Sequence, residues 1–123
     1  MIPQHSFHAA KNRSAQLLVS RGYEPAGPLT CSDLASYLPL HVIGRKGDYE
    51  VLCVKLRIAQ QSLSETLVES LCRYDISQFR SLLVQSPGNV FLRCELWVVA
   101  PNNAIHCYEV HTTGIREVAA YAT

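Results

Sequence analysis

The chain has 123 residues, 48% of them hydrophobic and 17% charged, with a formal net charge of +1. That length supports a single domain, 1–123, with a real core, and the near-neutral balance leaves only local basic patches to attract nucleic acid. No run of about 18 apolar residues exists, which excludes a membrane-spanning helix, and the opening MIPQHSFHAAKNR lacks the apolar stretch of a signal peptide.

Ser6 to Arg21 reads as a helix, with Ser6 as its cap. Phe7, Ala10, Leu17, Leu18 and Val19 fall near one face, and Gly22 stands where a C-terminal cap belongs. Pro25, Gly27 and Pro28 then break the chain. Thr30 to Leu38 fits either a short helical turn capped by Ser32 or Asp33, or an irregular segment before Pro39.

Leu40 to Arg57 reads as a hairpin: Val42 and Ile43 lead into the polar turn Gly44 to Asp48, and Tyr49 to Leu56 forms the return strand. Period-2 alternation puts Tyr49, Val51, Cys53 and Lys55 on one face and Glu50, Leu52, Val54 and Leu56 on the other. A lysine near the end of so apolar a strand is costly to bury without a partner, so Lys55 is the first residue with chemical content. The competing expectation is a lysine whose stem packs while its ammonium reaches water.

Ser62 to Leu83 reads as a second helix, capped by Ser62 or Ser64, with Leu63, Leu67, Leu71, Ile76, Phe79, Leu82 and Leu83 on its apolar face and Asp75 at a slight break. Gly88 and Asn89 turn the chain into a strand, Phe91 to Val99. A second strand, Ile105 to His111, follows the turn Pro101 to Asn103, and Thr112 to Val118 closes the chain as a short edge extension. The five cysteines (Cys31, Cys53, Cys72, Cys94 and Cys107) are scattered and never spaced C-x-x-C. They read as reduced thiols of a cytoplasmic protein, most of them small buried apolar groups. The order α-β-β-α-β-β implies an α/β or α+β sheet with helices packed against it.

This order, together with the hairpin, resembles the restriction-endonuclease-like nucleases of the PD-(D/E)XK superfamily. His41-Val-Ile-Gly-Arg-Lys-Gly-Asp48 resembles the family stretch in which an Asp opens the first strand and a turn follows. Val51-Leu-Cys-Val-Lys55 resembles its apolar strand ending in Glu-x-Lys. Phe91 to Val110, with Glu95-Leu-Trp97 and Tyr108-Glu-Val110, resembles the later strands of Holliday-junction-resolvase-like relatives. The resemblance covers about residues 6 to 118 and implies a mixed β-sheet core flanked by helices.

In that family two carboxylates hold Mg²⁺, which activates a water while the lysine positions it. Here His41 and Cys53 stand at the carboxylate positions and only Lys55 matches, so the resemblance implies a degenerate site. With a three-residue hairpin loop, His41 and Cys53 are read as cross-strand neighbours; they suit zinc better than Mg²⁺, but two ligands fall short of a site. Cys53 as a thiol nucleophile paired with His41 lacks an orienting third residue.

The reading that asks least of the residues is nucleic-acid association, DNA above all, or a scaffold role, without catalysis and without a cofactor. Lys11, Arg13, Arg45, Lys46, Lys55 and Arg57, with Arg21, are the candidate phosphate contacts. Trp97 with Phe91, Leu96 and Val98 could pack a core or a homodimer interface. The alternative is a Mg²⁺-dependent DNA endonuclease with relocated carboxylates, Asp33 and Glu69, beside Lys55. Some relatives bring the Glu from the following helix, and thirteen residues lie between Lys55 and Glu69, with Glu65 one turn earlier. Against it, Asp33 could cap a turn while Glu65 and Glu69 remain solvated.

Overall fold

The computed structural model describes residues 4–26, 42–47, 50–61, 64–85 and 91–121. Among them run three helices and six strands: α1 (Gln4–Ser20), β1 (Glu24–Ala26), β2 (Val42–Lys46), β3 (Glu50–Ile58), α2 (Glu65–Leu71), α3 (Arg73–Gln85), β4 (Phe91–Val99), β5 (Ile105–Val110) and β6 (Ile115–Tyr121). The strands form one mixed sheet in the order β1-β2-β3-β4-β5-β6. Only the β3–β4 pair is parallel, with α2 and α3 in the crossover between them. No helix among the described residues is long and apolar enough to cross a membrane.

Alternation along the two central strands explains the layering. Val51, Cys53, Cys94, Leu96, Val98, Tyr108 and Val110 pack against Val68 of α2 and Ile76, Phe79 and Leu82 of α3. Leu52, Val54, Leu56, Trp97, Val99, Ile105 and Cys107 pack against Leu18 and Tyr23 at the end of α1. Both faces are covered, so β3 is buried without interruption from Val51 to Leu56 and β4 from Cys94 to Val99.

Three elements depart from the order expected from sequence. β1 is a three-residue strand containing Pro25, whose missing N–H is tolerated because β1 sits at the sheet edge. β6 is a full seven-residue strand, with a register irregularity between Cys107 and Tyr108. The expected single helix is two: Cys72 adopts φ −106°, ψ 27°, turning the chain between α2 and α3 while its N–H still donates to the Val68 carbonyl at 2.9 Å. Ser64 caps α2, accepting from the Leu67 N–H, whereas α1 already begins at Gln4 and so contains Ser6.

The end of α1 shows how local signals and packing agree. Gly22 has φ +90°, its N–H donates to the Val19 carbonyl, and the Tyr23 N–H reaches back to Leu18. This paired closure needs glycine's left-handed conformation and brings Tyr23 onto Leu18 in one apolar cluster. Gly44 of β2 lets that closure sit on the sheet: a Cβ there would lie 2.9 Å from Leu18 Cδ2 and 3.0 Å from Tyr23 Cβ. Gly44→Ala is therefore expected to lower unfolding free energy by about 1–3 kcal/mol through overpacking, read as a shift in the urea midpoint.

Candidate functional site

Lys55 continues the inward face set by Val51 and Cys53, and its side chain has no exposed surface. Its Nζ donates to Asp75 Oδ1 at 2.6 Å. Arg57, two residues on and so on the same face, donates from Nε to Oδ2 and from Nη2 to Oδ1, both at 2.7 Å. Asp75 comes from the first turn of α3, where a carboxylate also complements the helix dipole. The turn at Cys72 is what places this position over the end of β3. The Lys55 ammonium also lies 5.6 Å from the centroid of the Tyr74 ring.

The electrostatics match a closed ion cluster. Burial pushes the Asp75 pKa up, but hydrogen bonds from Arg57 and Lys55 outweigh it and leave the carboxyl below its ordinary value. Burial, with Asp75 nearby, raises the Cys72 thiol despite Arg57, the opposite of the lowering that activates a nucleophilic cysteine. Two cations face one carboxylate, leaving one positive charge in excess.

The residues singled out from sequence separate in space. Asp33 and His41 lie outside the described residues. Glu69 is on an exposed turn of α2 and pairs with Arg80 at 3.7 Å, so the carboxylate on Lys55 is Asp75 and not Glu69. Glu65 Oε2 instead accepts the Glu117 N–H of β6 at 2.7 Å. The hairpin does leave three residues between Lys46 and Glu50, yet that register pairs Cys53 with Ile43, not with His41. On its other side Cys53 pairs with Cys94 of β4, and both are fully buried apolar groups. Among the described residues no group of three or more His, Cys, Asp or Glu is arranged to hold a metal.

Four of the expected phosphate contacts, Lys55, Arg57, Arg13 and Arg21, hold partners within the chain. Arg57 holds Asp75, and Arg13 donates to the carbonyls of Asn103 and Tyr121, tying α1 to the β4–β5 turn and to β6. Arg21 holds Glu95. Lys46 is exposed at the end of β2, its ammonium 4.6 Å from the Tyr23 ring centroid, and Arg45 precedes it. Lys11 lies within α1.

A second polar cluster, absent from the sequence reading, lies on the α1 face. Glu95 of β4 has no exposed surface and accepts from Arg21 Nη1 at 2.8 Å and Nη2 at 3.0 Å, from Trp97 Nε1 at 2.8 Å, and from Arg93 Nη2 at 3.3 Å. Arg93 also donates to Glu109 Oε2 at 2.9 Å and to the Tyr23 hydroxyl, which itself donates to Glu50 at 2.6 Å. Glu95 and Glu109 are directly opposed across β4 and β5, a repulsive placement that Arg93 bridges. Burial alone would raise the Glu95 pKa; hydrogen bonds from Arg21 and Trp97 outweigh it and hold the carboxyl below its usual value. The Arg21 hydrogen bond to Glu95 raises the guanidinium in turn. Burial pushes the neighbouring Cys107 thiol up to about 12. Every carboxylate here is already paired, which suits cross-strand locking better than proton transfer.

No protein-family model, no curated protein and no solved structure matches the chain.

Proposed function

We propose that this chain is a non-catalytic domain of restriction-endonuclease-like architecture that associates with nucleic acid, its lysine position given over to holding the fold. The observation that carries the reading is the state of Lys55: fully buried, with both oxygens of its carboxylate partner occupied by Arg57 or by Lys55 itself. Metal-dependent phosphodiester cleavage needs open carboxylate oxygens and a water beside the lysine. The succession of helix, hairpin with a lysine on its second strand, helical crossover and further strands supports the nuclease-like part of the reading. Phosphate contact is assigned to Arg45 and Lys46, which end the first strand of the hairpin with Lys46 exposed.

The test is incubation with supercoiled and branched DNA in Mg²⁺ or Mn²⁺, alongside duplex binding across a salt series. The expected outcome is no cleavage product, and binding that weakens steeply with salt and is lost in Arg45→Glu/Lys46→Glu. A metal-dependent product that disappears in Lys55→Met would overturn the proposal.

One observation favours the endonuclease alternative: a carboxylate from the crossover helix does reach Lys55, though it is Asp75. On that reading Arg57 swings out to free Oδ2 for a metal, and Asp75→Ala abolishes the product.

A further inference from the structure

We infer that the cavity at the carboxyl ends of β3 and β4 binds a small organic carboxylate with an apolar body, its head group held by Arg57. The inference does not rest on the nuclease-like reading. The cavity has a volume of about 410 Å³ and is lined by Arg57, Ile58, Ala59, Leu71, Cys72 and Val98, among others. An adjoining hollow of about 250 Å³ shares Ala59 and Val98 and reaches His106 and Tyr108. The first volume falls within the range of small-molecule sites. Its position, outside the carboxyl ends of two parallel strands beside their crossover, is where open α/β sheets carry ligands.

Arg57 supplies the specificity. Asp75 grips the guanidinium along its Nε and Nη2 edge, and the side chain keeps 40% of its surface exposed. That grip leaves the terminal edge, one N–H on each Nη, as a second fork matching a carboxylate. The grip also fixes the guanidinium before a ligand arrives, which lowers the ordering cost of binding. Charge selects a monoanion: Lys55, Arg57 and Asp75 sum to +1, and among the described residues Arg57 is the one charged side chain lining the larger of the two hollows. Ile58, Ala59, Leu71 and Val98 give an alkyl or aryl body an apolar wall.

The experiment titrates the full chain with octanoate, 1-octanol and octyl phosphate, following backbone amide shifts. Octanoate is expected to shift resonances of Arg57 to Gln61, Leu71 and Cys72, and to bind at least about tenfold more tightly than 1-octanol. Arg57→Gln should weaken octanoate by about tenfold or more and leave 1-octanol unchanged, while Ala59→Phe should block both. Octanoate should also slow alkylation of Cys72, the thiol that lines the cavity, whatever the folding of the variants. Equal affinity of octanoate and 1-octanol, undiminished binding in Arg57→Gln, or no protection of Cys72 would each overturn the assignment. Octyl phosphate binding more tightly than octanoate would overturn the choice of a monoanion.

Discussion

Asp75→Ala is expected to be among the most damaging single substitutions in the chain, lowering unfolding free energy by about 3–5 kcal/mol. Its partners respond unequally. Arg57 is 40% exposed and can turn its guanidinium to water, but Lys55 has no exposed surface and is left as an uncompensated buried charge. The face of the Tyr74 ring at 5.6 Å offsets only a small part of that loss. Lys55→Met should cost far less, because Asp75 keeps both Arg57 hydrogen bonds and the methionine fills similar volume. Urea denaturation of the two variants measures this asymmetry. Similar costs would mean that the ammonium has another route to water.

Glu95→Ala is expected to have an effect of similar size, about 3–5 kcal/mol, on the opposite face of the sheet. It removes the acceptor of the buried Trp97 indole N–H and strips Arg21 of both its hydrogen bonds. Glu95→Gln should cost less, since an amide oxygen can still accept from Trp97, but it forfeits the ion pair. Acid should reproduce part of both losses. The Asp75 and Glu95 pKa values lie lower in the folded chain than their ordinary 3.8 and 4.5, so the unfolded chain takes up protons first. Their stabilisation is complete above those ordinary values and disappears as pH falls through the depressed ones. The urea midpoint should therefore be markedly lower at about pH 3 than at about pH 7.

What the sequence made legible was set by short-range periodicity. Alternation rich in β-branched and apolar residues marked β3 and β4, Gly22 marked the end of α1, and the cost of burying Lys55 without a partner singled that residue out, with a wet ammonium as the competing expectation. The partner's identity depended on something periodicity does not carry. The resemblance to the nuclease family implied Glu69 through its spacing from Lys55, but the turn at Cys72 re-aims the chain, and Glu69 pairs with Arg80 while Asp75 meets Lys55. β1 was hidden by its length and by Pro25, which reads as a breaker and is allowed only because that strand is an edge. The Glu95 cluster draws Arg21, Arg93 and Glu109 from an α1 terminus and two strands, a convergence created by sheet register rather than by local spacing. A buried Glu flanked two residues away by Arg93 and Trp97 on the same face was the one local signal available.

Lys55 serves the fold through Asp75, and a double-mutant cycle between the two residues measures that link. Unfolding free energies of the wild type, Lys55→Met, Asp75→Ala and the double variant give the coupling. The expected coupling is about 2–3 kcal/mol, with the double variant more stable than Asp75→Ala alone. Additive losses, with coupling near zero, would contradict it and return Lys55 to the group of residues free to meet a ligand.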